Sequence, residues 1–518
     1  MMMKRAYCAI VLSSLFAVLS ASGQNTPKVV VGIVVDQLRS DYVERFDYLY
    51  GDGGFRRLRK EGLVYTNAGF DYSTPDRASA VATIFSGTEP CYHGITGNRY
   101  LDRKSLKVLS CVDDDHVKGV HTAEKTSPSR LLVTTLADEL KVATGGKSSV
   151  MSVAAERDVA VLAAGHAADV VLWLNDANAM WASSTCYGDM PSWMSVYNHR
   201  ATSAFDFKSM KWTPLYSMSV YQDFSDDEMP KAFVHTFSEK SVKRYKTSAI
   251  MNDEVTQIAK TCLTSGTFGR GRATDMLCVG LYAGNYEHQS EQYSPLELQD
   301  IYSRLDRNIA DLLEAVDERV GLDNAVILLT STGYTDVHQP TLTEFNLPTG
   351  EVRMERCAML LNMYLGAIYG SDAYVEASYR NQIYLNHKLL EDKQLKLKEV
   401  LEHCSAFLGQ MSGVRRAYTC IELTNGTVDA PVCRAYHNER QGDVQIEIAP
   451  GWSLVDDRWN ETVWSSRAQV PTPVMFLGAG ISPNVSTEPI MVEAIAPTVA
   501  SLLKISAPNG CAVRSLSF

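Results

Sequence analysis

Positive charge is the scarcer sign in this 518-residue chain: 49 lysines and arginines stand against 60 aspartates and glutamates, a formal charge of −11 at pH 7. Removing Lys4 and Arg5 makes it two units more negative. A nucleic-acid partner held by bulk electrostatics is thereby disfavoured, and a phosphorylated ligand would need a local cationic site. Beyond the first two dozen residues no run of about 18 uncharged apolar residues occurs, so no transmembrane segment is expected in the mature chain. Neither Cys-x-x-Cys nor a Cys/His spacing of the zinc-module kind is present, which speaks against structural zinc. Internal repeats and low-complexity tracts are also missing. With 45% hydrophobic and 21% charged residues, disordered, collagen-like and coiled-coil readings drop out, leaving one or two compact bodies.

What is there begins with an export signal. Lys4 and Arg5 precede the apolar run Ala9 to Leu19 and the small residues Ala21, Ser22 and Gly23, so residues 1–23 read as a cleavable signal peptide and the mature protein as periplasmic or secreted. No cysteine follows that small-residue site, which disfavours a lipid anchor. Of the 11 cysteines, Cys8 lies in the signal, leaving an even number. Cys91 with Cys111 and Cys420 with Cys433 are possible local bridges, and buried free thiols serve equally well.

Strand and helix patterns alternate along the rest. Lys28 to Asp36 reads as a strand buried on both faces, followed by a helix-compatible stretch from Ser40 to Tyr50. Helix Val133 to Ala143 leads to strand Ser148 to Val153. Strand Asp275 to Tyr282 is followed by a helix starting at Ser294-Pro295 with apolar residues at helical spacing, then strand Ala325 to Leu329. Strand Pro473 to Leu477 and helix Ala494 to Leu503 close the series. This is an α/β pattern with a mostly parallel central sheet flanked by helices, in a single domain over 24–518 carrying insertions near 181–246 and 364–451. In such sheets ligands bind beyond the carboxyl ends of the strands, here Asp36, Asp71 to Ala82, Ala154 to Val159, Ala283 to Gln289 and Thr330 to Gly333.

Seven stretches, in order, are VVGIVVDQLRSDYVERF, GGFRRLRKEGLVYTNA, SGTEPCYHGITGNRYLDR, AAGHAADVVLW, RNQIYLNHKLLEDK, GDVQIEIAPGW and EAIAPTVASLLKISAPNG. Together they resemble the alkaline phosphatase superfamily, specifically its secreted zinc-dependent members of the phosphodiesterase/nucleotide pyrophosphatase type. The resemblance implies a parallel-sheet core with a cap, two zinc ions bridged by the substrate phosphate, and a Thr or Ser nucleophile. Two zinc ions lower the nucleophile's pKa and stabilise the leaving oxygen, and carboxylates and imidazoles must hold both.

Taken position by position, the family's first-strand zinc aspartate is matched by Asp36 and its phosphate-contacting asparagine by Asn98. The nucleophile position falls on Arg77, which cannot attack phosphorus. The Lys and Arg that grip phosphate fall on Glu156 and Asp158, reversing two charges. The Asp-x-x-x-His of one zinc falls on Asn285 and Gln289, the Asp-His pair on Thr332 and Gly333, and the last zinc histidine near Val470 and Pro471. Asp36 reads as capping a neighbouring helix or pairing with Arg77 rather than as a metal ligand, and such an ion pair would replace a lost cation. His288, Asp336 and His338 could form a relocated metal site. Ser73, Thr74 and Ser79 read as turn or cap residues, His166 as a hydrogen-bonded structural histidine and His93 as a turn residue.

These residues imply an exported, non-catalytic member of the superfamily, a pseudophosphatase that needs no cofactor and binds an unidentified cell-envelope partner. The alternative is an active metal-dependent phosphate-ester hydrolase with two zinc ions and a rearranged site.

Overall fold

A computed structural model describes residues 26–204, 210–222, 232–289, 294–336, 348–459, 461–464 and 470–517. The signal segment 1–23 and His338 lie outside the described residues. The first strand, β1 (Val29–Asp36), is buried along its whole length, as an unbroken apolar run in a parallel sheet must be. It is followed by β2 (Leu63–Gly69), helix α1 (Arg77–Ser86), β3 (Val150–Ala154), helix α2 (Arg157–Ala164), β4 (Val170–Leu174), helix α3 (Ala249–Thr264), β5 (Asp275–Tyr282), helix α4 (Pro295–Val320) and β6 (Ala325–Ser331).

Four further strands, β7 (Val375–Tyr379), β8 (Gln382–Leu385), β9 (Val414–Thr419) and β10 (Val444–Ile448), make a separate antiparallel sheet in the order β7-β8-β10-β9. The chain then returns to the first sheet with β11 (Thr472–Gly478). The central part of that large sheet runs β2-β11-β6-β1-β5-β3-β4. β1 is parallel to β5 and β6, β5 to β3, and β3 to β4, whereas β11 is antiparallel to both its neighbours. The mostly parallel α/β sheet read from the sequence is thus the observed core.

Each face of the large sheet packs on its own apolar cluster. One includes Val31, Ile33, Leu277, Leu305 and Leu312; the other includes Val30, Val34, Ile84, Leu162 and Val499. The second sheet has a third cluster around Leu361, Leu401 and Ile446. Ten cysteines, Cys91, Cys111, Cys420 and Cys433 among them, are free thiols, so neither local bridge forms. Burial pushes the Cys91 thiol up to about 11. Among the described residues no helix is long and apolar enough to cross a membrane.

The second sheet is tied down by one carboxylate. Asp443, 3% exposed at its side chain, accepts from Arg103 at 2.9 and 3.1 Å, from the Leu385 amide at 2.7 Å and bonds His387 Nε2 at 2.9 Å. Burial opposes its charge, but His387 and Arg103 outweigh burial and hold the pKa below its ordinary 3.8. Asp443→Asn is expected to cost about 2–3 kcal/mol, because buried donors lose an anionic acceptor. Since the folded pKa is depressed, the wild-type advantage is complete above pH 4 and fades below it. Urea unfolding of both chains at pH 7 and pH 3 checks this.

Candidate functional site

The register of β1 builds the site. Asp36, its last residue, pairs with Tyr282 at the end of β5, and Val35 pairs with Ser331 at the end of β6. Three carboxyl ends therefore meet, and Thr332 follows immediately. Thr332 Oγ1 donates to Asp36 Oδ1 at 2.8 Å and accepts from the Gln37 amide at 2.9 Å. Tyr334 Oη donates to Asp36 Oδ2 at 3.4 Å. Burial raises the Asp36 pKa from 3.8 to about 6, with Arg77 and the Thr332 bond pulling the other way. Gly333 adopts φ +69°, and a Cβ there would meet the Phe70 ring at 2.3 Å, so only glycine fits this turn.

Arg77 is the first residue of α1. Asp76 caps that helix, its Oδ1 accepting from the Ser79 amide at 2.9 Å while Ser79 Oγ accepts from the Asp76 amide at 3.0 Å. Ser79 is therefore absorbed in a capping box. The expected ion pair of Arg77 with Asp36 is not made: Arg77 bonds Asp158 at 3.1 Å and Glu156 at 3.4 Å. The reason is placement at a helix start. Glu156 stands at the N-terminal boundary of α2 and Asp158 lies in its first turn, where the helix dipole favours acids, and Asp36 is already occupied by two hydroxyls.

The second cation was not singled out from sequence. Lys246, 5% exposed at its side chain, bonds Asp176 at 2.5 Å and Glu156 at 3.6 Å. Burial works against the Glu156 charge, but Arg77 and Lys246 outweigh it and hold the pKa at about 2. Nothing local marks Lys246 as special, since it closes a short helix with two other basic residues. Gln37, in the turn after β1, carries no motif either; it takes φ +61° and donates to Asp336 at 2.9 Å.

Asp36, Arg77, Glu156, Lys246, His288 and Thr332 line one cavity of about 30 Å³, room for one or two waters. His288 Nδ1 lies 2.6 Å from Asp336 Oδ2, so two of the three relocated-site candidates meet. Burial lowers the His288 pKa and the Asp336 bond more than restores it, leaving it raised above 6.5. The other positions are engaged elsewhere. Asn285 offers its carbonyl to Tyr282 Oη at 2.7 Å. Gln289 donates to Glu287 at 3.3 Å, and the Gly333 carbonyl accepts from the Val470 amide at 3.2 Å. Asn98 accepts from Arg380 at 3.2 Å and gives its amide to Asp76 at 2.8 Å. His166 bridges Asp138 at 2.9 Å and the Leu131 carbonyl at 3.0 Å. His93, its pKa pushed down to about 3 by burial, bonds Thr83 at 3.1 Å.

Among the described residues, which leave out His338, no three His, Cys, Asp or Glu side chains gather as a metal ion requires; Asp36 has its oxygens on a threonine and a tyrosine, and Asp336 is engaged with Gln37 and His288.

Alkaline phosphatase PafA of Elizabethkingia meningoseptica is 29% identical over 98% of this chain and 97% of its own. Alkaline phosphatase PhoV of Synechococcus elongatus is 29% identical over 93% and 91%. The crystal structure of wild-type PafA superposes with a TM-score of 0.82 at 28% identity, covering 95% of this chain and 98% of that one. A PafA variant in which a threonine, an asparagine, a lysine and an arginine are replaced gives 0.81. The model of the type I phosphodiesterase / nucleotide pyrophosphatase family matches residues 30–470, and the chain belongs to that family, within the alkaline phosphatase superfamily.

Proposed function

We propose that this chain is an exported, non-hydrolysing member of its family that acts by binding a partner in the cell envelope. One observation carries the reading: Arg77 begins the helix at the strand ends and is locked between Glu156 and Asp158. A guanidinium stays protonated and has no electron pair to attack phosphorus. Two carboxylates in the same cluster repel a phosphate dianion. Spacing supports the assignment of these positions. In the PafA variant the replaced threonine and asparagine are separated as Arg77 and Asn98 are here, and the replaced lysine and arginine stand two apart, as Glu156 and Asp158 do. Export is supported by Lys4, Arg5 and the apolar run that follows them.

The comparisons taken alone favour the other reading, a metal-dependent phosphate-ester hydrolase, because PafA and PhoV are both named alkaline phosphatases. The 2.6 Å contact of His288 with Asp336, beside Asp36, is the structural feature that speaks for it. A single preparation separates the two. The chain from residue 24, purified without a metal-binding tag and dialysed against trace zinc, is expected to retain no zinc and to leave p-nitrophenyl phosphate and its diester unhydrolysed. About two zinc ions per chain, with hydrolysis that Asp36→Ala and His288→Ala both abolish, would establish the hydrolase instead.

A further inference from the structure

In an oxidising compartment a thiol open to solvent pairs with any other thiol in reach. Burial removes six of the ten cysteines from that chemistry: Cys111, Cys262, Cys278, Cys357, Cys404 and Cys420 are at most 8% exposed. Cys91, Cys186, Cys433 and Cys511 remain at least partly open. Two of these four stand together, although about 340 residues of chain separate them. Cys91 is the second residue of the short helix Pro90–His93, and Cys433 the fourth of the short helix Ala430–Arg434. The two helices pack on each other with α carbons approaching within 8 Å, and a disulfide bridges α carbons roughly 4.4–6.8 Å apart. Both cysteines line one surface groove, which neither Cys186 nor Cys511 lines. Burial, Glu89 and Cys433 all raise the Cys91 pKa, so the charge of one thiolate reaches the other.

The surroundings favour closure. The Ser73 amide donates to the Pro431 carbonyl at 2.8 Å, and Arg434 donates to the Asp71 carbonyl at 3.3 Å and pairs with the Asp71 carboxylate. These bonds hold the helix Ala430–Arg434 in place on the loop before α1. The same helix buries none of its residues, so the small rotation that brings two sulfurs to a bond of about 2.05 Å disturbs no packed core. The contact that Cys433 Sγ gives up is a weak one, 3.6 Å to the Val428 carbonyl.

We propose that Cys91 and Cys433 are joined by a disulfide that latches the insertion carrying the four-stranded sheet to the body of the large sheet. The oxidant is a disulfide-bearing thiol oxidoreductase of the compartment, replaced in solution by glutathione disulfide. One protein thiolate attacks a sulfur of the oxidant and expels a thiolate, and the second attacks the protein sulfur of the mixed disulfide and expels the other half. Each cysteine gives up one electron, the oxidant's disulfide takes both, and the two thiol protons pass to its departing thiolates. The raised Cys91 pKa makes uncatalysed exchange slow at neutral pH and faster as pH rises. The latch has a mechanical consequence. A cavity of about 260 Å³ between the loop preceding α1 and the four-stranded sheet has Pro90 and Val432, the chain neighbours of the two cysteines, in its lining, so the bond fixes the width of that opening. This inference goes beyond the reading of the Asp36 site and shares only export with it. Pairing is tested on purified protein, so it and the loss of hydrolysis can fail separately.

The test is incubation of the chain from residue 24 with glutathione disulfide at pH 8.5, alkylation of the remaining thiols, and peptide mapping without reduction. A peptide pair joined through Cys91 and Cys433 of one chain is expected. Because the bond closes so long a loop, thermal unfolding of the oxidised protein should lie about 3 °C or more above that of the same protein reduced with dithiothreitol. Cys433→Ser should unfold with the reduced wild type and show no gain on oxidation. The oxidised and reduced wild type differ by the bond alone, so their comparison stands whatever the variant does. Both thiols recovered alkylated, either one bonded to glutathione alone, to Cys420, to Cys511 or to a second chain, or an oxidised protein no more stable than the reduced one would each overturn the proposal.

Discussion

Arg77→Ala is expected to lower folding stability by about 3–5 kcal/mol, a large loss for a single helix-start side chain. The side chain is 20% exposed and its partner Asp158 only 7%, so removing the guanidinium strands a buried carboxylate. Two further substitutions isolate the cause. Adding Glu156→Gln and Asp158→Asn to Arg77→Ala removes the stranded charges and should recover most of the loss, as expected when the penalty is an unpaired ion rather than a cavity. Arg77→Thr should destabilise similarly and produce no phosphatase activity. Urea unfolding at pH 7 reads the stabilities. A loss under about 1 kcal/mol would put the pair on the footing of a surface salt bridge and remove the argument that this cluster is a settled part of the fold.

Asp36→Asn should act in the opposite direction. Burial lifts the Asp36 pKa from 3.8 to about 6, so the folded chain holds this proton more tightly than the unfolded one. Stability is therefore lost as pH rises from about 4 to 6, and the deficit is complete above that. At about 1.4 kcal/mol per pH unit, removing the charge should stabilise the protein by about 2–3 kcal/mol at pH 8 and by nothing below pH 4. The asparagine carbonyl can still accept from Thr332. The hydrolase reading predicts the reverse when zinc is added: wild type would be stabilised through its metal ligand, and Asp36→Asn would lose that gain. Thermal unfolding at pH 4 and pH 8, with and without zinc, distinguishes these outcomes.

Much of the fold is legible because it rests on many residues at once. The apolar runs at Val29, Asp275 and Ala325 can be buried on both faces only in a parallel sheet, and those strands lie side by side. Where the reading slipped, local chemistry had the deciding vote. The helix expected from Val133 begins at Leu136, because Thr135 and Asp138 form a capping box there. The stretch from Ser40 to Tyr50 is a helix only to Arg45 and then a short 3₁₀ turn. The direction of the strand at Pro473 was beyond reach, since alternation and apolarity are the same for parallel and antiparallel neighbours. In the site, motif order singles out Asp36, Arg77, Glu156 and Thr332, and these residues line one cavity. It does not show their pairing. Arg77 had several acids within reach of a plausible fold, and only the start of α2 decides that Asp158 and Glu156 win over Asp36. Lys246 carries no motif, and its meaning comes entirely from what stands opposite it.

The position of β11 governs the order in which this molecule can be completed. β2 has no contact along the sheet with β6 or β1 except through β11, which lies between β2 and β6. The pairing of Tyr65 with Val474 spans about 400 residues, a closure of the slow, long-range kind. A chain made from its amino terminus must therefore hold the Leu63–Gly69 edge unpaired until synthesis has passed residue 478. Through most of its manufacture the large sheet is two separate pieces, and the strand that welds them is among the last to be made.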